Sequence, residues 1–272
     1  MDKIDRLGWA DGISFRSYGV SVGVRVSDHS VMDIVRELLP PGWKPSTRPL
    51  VDRLYSLFVG GEARRGVRRF NLLYRDASLL GRSLSLEELC DVFQSDLKLH
   101  VAEKARRRVF VHAGVVGWRG VALLIPGRSF SGKTTLVAEL VRAGADYYSD
   151  EYAVLDAEGR VHPFPQPLGI RAEGAARQER VAAEDLGGRP GKRPLKVGLI
   201  LATKYRPNAH WRPRELTHGQ GVLELLANAV AAREDPGGVL SFLSRATEGA
   251  RVLGGPRGDA RVTAAQILGK VI

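Results

Sequence analysis

The chain has 272 residues, 44% of them apolar and 26% charged, with 41 Lys and Arg against 30 Asp and Glu for a formal charge of +11. At roughly 150 residues per domain this makes one or two domains, large enough to fold without disulfide or metal staples. The 31 glycines and 14 prolines are far from collagen-like or low-complexity levels. The longest apolar runs, residues 121–125 and 197–202, fall well short of the roughly 20 residues of a membrane span.

The first six residues carry charges of both signs and lead into no apolar stretch, so they do not read as a secretory leader. Residues 13–26 alternate loosely, with Val20, Val22, Val24 and Val26 in step, and predict one or two strands with a turn at 17–19. Asp28 or Ser30 can cap a helix over 31–39, which Pro40-Pro41-Gly42 ends. Two more strands are predicted at 53–59 and 69–74, joined by the turn Gly60-Gly61-Glu62. Ser85-Leu86-Glu87-Glu88 reads as a capping box, opening a helix whose Leu86, Leu89, Val92, Phe93 and Leu97 recur at helical spacing. Cys90 lies on this helix and reads as a core thiol; as the sole cysteine it permits no intramolecular disulfide, which fits a reducing, cytoplasmic setting. Residues 1–105 thus form a small α+β unit with no chemistry legible in it.

From 106 to 272 the pattern changes. Strands are predicted at 108–116 and 121–125 around the turn Gly117-Trp118-Arg119-Gly120, and the second is fully apolar, as in a sheet covered on both faces. A glycine-containing loop follows, then a helix over 134–142 that Gly144 stops. Short strands are predicted near 145–148 and 152–156, then a turn at Ala157-Glu158-Gly159 and Val161-His162-Pro163. Residues 173–194 are polar and rich in Gly and Arg and predict a mobile loop. A buried strand over 195–202 and helices over 220–232 and 238–247 complete the reading.

Gly127-Arg128-Ser129-Phe130-Ser131-Gly132-Lys133-Thr134 fits Gly-x4-Gly-Lys-Thr, with a buried strand directly before it and a helix directly after. The glycines let successive amides, including those of Ser129, Phe130, Ser131, Thr134 and Thr135, turn inward toward phosphate oxygens. The helix amino terminus adds orphan donors and the positive end of its dipole. Lys133 can neutralise β- and γ-phosphates, and the Thr134 hydroxyl can ligate Mg²⁺. Asp150 and Glu151 follow a helix and a return strand that bring them back beside the loop. Either can hold Mg²⁺ or take a proton from an attacking hydroxyl; which does which is open. His112, in the strand before the loop strand, is either a satisfied structural histidine or a further site residue. The remaining histidines lack metal-ligand spacing. Protein-kinase Asp-Phe-Gly and His-Arg-Asp motifs, the guanine-reading Asn-Lys-x-Asp and the Leu-Ser-Gly-Gly-Gln transporter signature are all missing. The basic surplus permits an anionic partner, but without regular basic and aromatic interleaving it argues against nucleic acid.

Val111-His112, the loop beginning at Gly127, and the Tyr148-Ser149-Asp150-Glu151-Tyr152-Ala153-Val154-Leu155-Asp156 and His162-Pro163-Phe164-Pro165-Gln166-Pro167-Leu168 segments resemble the catalytic domain of HPr serine kinase. That domain is similar to the phosphoenolpyruvate carboxykinase nucleotide-binding core. The likeness is closer still to HPr-kinase-related kinases, including those acting on the terminal serine of lasso-peptide precursors, and it covers roughly residues 106–270. It implies an α/β P-loop fold, a mixed sheet with flanking helices, that uses ATP and Mg²⁺ to phosphorylate a serine of a peptide or protein. The family precedent is a homo-oligomer. The resemblance makes Asp150 the base, Glu151 a metal-side acid standing where the family has aspartate, His112 a neighbour of the reacting phosphate, and Arg171 a phosphate contact. Phe130 replaces a family glycine, and Thr134-Thr135 replaces Ser-Glu. No Glu-x-Arg-Gly stretch lies near residues 168–171, so HPr and a reverse phosphorolysis are not implied. A small-molecule kinase and a non-catalytic nucleotide-sensing or peptide-binding module are the alternative readings.

Overall fold

The computed structural model describes residues 3–61, 68–128, 131–170 and 179–270. The chain divides into two compact units, Met1–Arg106 and Arg107–Ile272.

In the first unit, β1 (Asp11–Ser17) and β2 (Val20–Val26) form the expected hairpin. Its two-residue turn, Tyr18-Gly19, has positive φ at both positions, the twist that a tight hairpin favours. A short helix, α1 (Met32–Glu37), follows a 3₁₀ turn capped by Asp28, whose carboxylate accepts from the Ser30 amide. The strands β3 (Lys44–Pro45), β4 (Arg53–Phe58), β5 (Asn71–Arg75) and β6 (Ser78–Ser83) complete a six-stranded sheet in the order β3-β1-β2-β4-β5-β6. Among its described residues, only β2 and β4 are parallel neighbours. Gly60 and Gly61 follow β4; Glu62 of the predicted turn lies outside the described residues.

Helix α2 (Leu86–Lys104) is capped by Ser85, whose hydroxyl accepts from the Glu88 amide. The glutamate half of the expected box is different: the Glu88 carboxylate takes the Ser83 hydroxyl instead. Leu89, Cys90, Phe93, Leu97 and Val101 turn to a core shared with Phe15, Val22, Val24, Tyr55, Leu57 and Leu73.

The second unit is mixed α/β. Its larger sheet contains β7 (Val109–Trp118), β8 (Val121–Pro126), β9 (Asp146–Ser149), β10 (Tyr152–Leu155), β11 (Arg160–His162), β14 (Leu195–Tyr205), β15 (Arg214–Glu215) and β16 (Arg251–Arg257), and a separate two-stranded ribbon pairs β12 (Leu168–Ile170) with β13 (Glu179–Val181). The order is β11-β10-β7-β8-β14-β16-β15, with β9 also on β7. Strand β11 pairs both β10 and β14, so the path of pairings closes on itself. Strands β8, β14 and β16 run parallel.

Both faces of these three strands are covered. On β8, Leu123 and Ile125 face α3 (Lys133–Arg142) and α6 (Ala260–Lys270). The alternate Ala122 and Leu124 face α4 (His218–Leu226) and α5 (Pro236–Thr247). This explains the unbroken apolar run that the sequence carries at β8. The carboxyl ends of the parallel strands meet on one edge, where open α/β sheets hold their ligands. No helix among the described residues is long and apolar enough to cross a membrane.

Three expectations need correction. The helix expected over 220–232 ends at Leu226, because the chain leaves it to pair with β7: Asn228 O accepts from the His112 amide (2.8 Å) and Ala229 bridges Val111. The helix starts earlier as well, behind a full capping box of Thr217 and Gln220. The polar stretch expected as a loop is partly built in. Besides β13, Arg189 O and the Gly191 amide bond Tyr147 across β9; its residues 173–178 lie outside the described residues.

Candidate phosphate-binding and acid-pair site

Strand β8 delivers the chain to Gly127, whose amide donates to His112 O (3.1 Å) on β7. At the other end of the loop, Gly132 is the amino-terminal cap of α3 with φ +81, a conformation favouring glycine. A Cβ there would also stand 2.5 Å from Nη2 of Arg257. That guanidinium is buried and donates to Gly132 O (2.6 Å) and Gly258 O (3.3 Å). Arg257 thus pins the turn into the helix from the end of β16. Burial lowers its pKa while Tyr205 and Asp259 draw it back, and a guanidinium remains charged at neutral pH. No side chain caps α3, so its first-turn amides remain available to an anion.

Lys133 is 9% exposed, and its Nζ donates to Arg128 O (2.8 Å). Burial pushes its ammonium below the usual lysine value, and Asp150 and Glu151 pull the other way. Thr134, next on the helix, donates from Oγ1 to Oδ2 of Asp150 (3.0 Å). Thr135 is exposed on the first turn.

The acid pair sits between β9 and β10. The Ser149 hydroxyl accepts from the amides of Glu151 (3.1 Å) and Tyr152 (2.9 Å), which fixes the turn that presents the pair. The Tyr147 hydroxyl lies 3.0 Å from Asp150 Oδ1 and 2.8 Å from Gln166 O. Burial raises the Asp150 carboxyl above its ordinary value, and the bonds from Tyr147 and Thr134 only partly offset this. Asp150 therefore holds a proton better than a surface aspartate does.

His112 faces Tyr152 across the β7–β10 pair, rings tilted by 34° with centroids 4.8 Å apart. Burial lowers its pKa, Glu151 raises it and Lys133 lowers it further, so the ring is neutral at pH 7. His112 thus lies within electrostatic reach of Glu151 and the loop lysine. The neighbouring Ala113 amide donates to Glu151 O (3.1 Å), tying β7 directly to the acid-pair turn.

The structure brings Gly127, Ser131, Gly132, Lys133, Thr134, Thr135, Asp150, Glu151 and His112 to one edge of the sheet. Ser129, Phe130 and Arg171 lie outside the described residues. Sequence reading missed Tyr147, Ser149 and Arg257. Ser149, directly before two acids, carried a turn signal; Arg257 carried none, because its role arises where β16 ends beside the loop.

Two cavities flank the loop. One, about 670 Å³, is lined by Gly132, Thr135, Tyr205, His210, Trp211 and Arg257 among others. The other, about 1020 Å³, is lined by Gly127, Arg128, Ser131, Thr203, Lys204 and Asn228 among others. A scan against protein-family models and a search of curated proteins each return no match for this chain.

Proposed function

We propose that the chain is an ATP-dependent kinase that transfers the γ-phosphate to a hydroxyl, most directly a serine of a peptide or protein, on a P-loop core like that of HPr serine kinase and the phosphoenolpyruvate carboxykinases. One observation carries the reading: the helix-borne Lys133 and Thr134 stand beside a partly buried carboxylate, Asp150, that is hydrogen-bonded to Thr134. Phosphate loops and acid pairs each occur alone; their junction at a sheet edge is what phosphoryl transfer requires.

In this reading the α3 amides and Lys133 hold the phosphates of ATP and offset their charge. The Thr134 hydroxyl and the Asp150 carboxylate are hard oxygen donors 3.0 Å apart, a donor set that suits Mg²⁺ when phosphates and water complete its shell. Bound there, Mg²⁺ would neutralise charge building on the β- and γ-phosphates. Asp150 takes the proton of the acceptor hydroxyl. The oxygen lone pair forms the new P–O bond, and the electrons of the broken bond leave on ADP. His112, neutral beside Glu151, orients the reacting groups without adding charge. ATP as donor fits the cytoplasmic setting that the single buried cysteine, Cys90, is read to favour.

Calorimetric titration with ATP and Mg²⁺ should give binding that Lys133→Ala abolishes. Transfer should then go to serine-bearing peptides in preference to free alcohols. Transfer to free alcohols alone would replace the reading with a small-molecule kinase. ATP binding with no transfer to either would replace it with a nucleotide sensor.

A further inference from the structure

The geometry points to the larger cavity beside the loop as the acceptor site, and to an acidic peptide segment as what it takes. The orientation in this inference rests on the kinase reading; the chemistry of the cavity does not.

Two observations orient the cavity. Lys133 Nζ bonds to the carbonyl of Arg128, and Arg128 lines this cavity. In a phosphate loop the lysine reaches the β- and γ-phosphates while the helix amides hold the α- and β-phosphates, so the terminal phosphate faces the Arg128 side. Thr135, on the nucleoside side of that order, lines the smaller cavity instead. Gly127 and Asn228, which hold the backbone of His112 between them, both line the larger one. An acceptor lying there would rest against the two segments that hold the histidine's backbone.

The lining has a definite chemistry. Thr203 is 8% exposed, and its Oγ1 has no hydrogen-bond partner among the described residues. The buried Ser131 Oγ lacks one as well. Buried hydroxyls left without partners are uncommon in a folded protein unless something else satisfies them, and both of these line the same space. Around the rim stand three exposed cations, Arg128, Lys204 and Arg206, against one exposed acid, Glu224. Lining residues with unsatisfied hydroxyls and cations at the mouth suit a chain bearing carboxylates. Single-stranded nucleic acid would want a series of rings to stack on, and among the described residues lining this cavity Tyr205 alone is aromatic. At about 1020 Å³ the space is larger than a single side chain needs, in keeping with several residues of an acceptor.

The test measures binding separately from transfer. Two fluorescein-labelled peptides, each with one serine, one flanked by Asp and Glu and the other by Lys, are titrated by anisotropy against the whole protein, alongside a thymidine oligonucleotide. The acidic peptide should bind, and more weakly as salt rises. Lys204→Glu with Arg206→Glu, both exposed positions, should weaken that binding at least about tenfold. Thr203→Val should weaken it about fivefold, while the calorimetric affinity for ATP and Mg²⁺ changes less than about twofold with that variant. Equal binding of the lysine peptide, indifference to the charge reversal, or tighter binding of the oligonucleotide would overturn the inference. An acidic peptide that binds as described but is never phosphorylated would sink the kinase reading and leave this site standing. Phosphorylation of peptides regardless of the charge reversal would do the opposite.

Discussion

Gly132 meets two separate demands, a left-handed backbone and the absence of a Cβ where Arg257 donates to its carbonyl. Gly132→Ala should therefore cost about 1–3 kcal/mol of stability, read from the shift of the thermal unfolding midpoint. It should also weaken ATP binding, since the turn into α3 is displaced; unchanged stability would mean that Arg257 yields without cost. Asp150 is the residue on which chemistry and binding part company. Asp150→Asn removes the proton acceptor but keeps an oxygen facing Thr134. Single-turnover transfer should fall by about 100- to 10,000-fold, with ATP affinity within a few-fold of wild type. Unaltered turnover would exclude Asp150 as the base.

Among the elements, the β10–β11 hairpin is held by one buried carboxylate. Asp156 accepts from the Arg160 amide (2.8 Å), Arg160 Nε (3.0 Å), the Glu158 amide (3.1 Å) and His162 Nε2 (2.8 Å). Burial alone would raise its pKa, but the bonds from His162 and Arg160 outweigh that and hold it below the ordinary value of 3.8. The unfolded chain then binds the proton more readily, so the stabilisation is fully present above pH 3.8 and is lost as pH falls through the lower folded value. Asp156→Asn should lower stability by about 1–3 kcal/mol at pH 7, and unfolding midpoints of variant and wild type should converge as pH falls progressively below 3.8. A constant difference across that range would show that the carboxylate charge is not what holds the hairpin.

The same scale shows what the sequence could and could not convey. Periodicity and turn residues located the β1–β2 hairpin, α2, β7, β8, α3 and β14, because each is bounded by its own glycines, caps or polar turns. Strand β16 and helix α6 escaped notice. Arg251–Arg257 contains Gly254, Gly255 and Pro256, which read as breakers. The strand tolerates them because β15 pairs only as far as Gly254, leaving Pro256 unpaired on that side while β14 supports the other. Helix α4 was overextended for the converse reason: its composition continues helical, but a long-range pairing with β7 claims Asn228 and Ala229.

For the molecule as a whole, the consequence of the mixed sheet is convergence. Three parallel strands end on one edge, and from that edge come the glycine loop after β8, the Thr203–Arg206 rim at the end of β14 and Arg257 at the end of β16. The acid pair reaches the same edge through β9 and β10. The loop and acids were legible in the sequence because their motif is local. Tyr147, Thr203 and Arg257 were not, because each matters only through a neighbour distant in the chain. This convergence is what we propose transfers phosphate. Its most direct test is mass spectrometry of serine peptides incubated with the whole protein, ATP and Mg²⁺, with Lys133→Ala in parallel. The wild type should yield a phosphoserine product and the variant none, although the variant should keep its fold by circular dichroism. Equal product from both proteins, or none from a wild type that binds ATP, would contradict it.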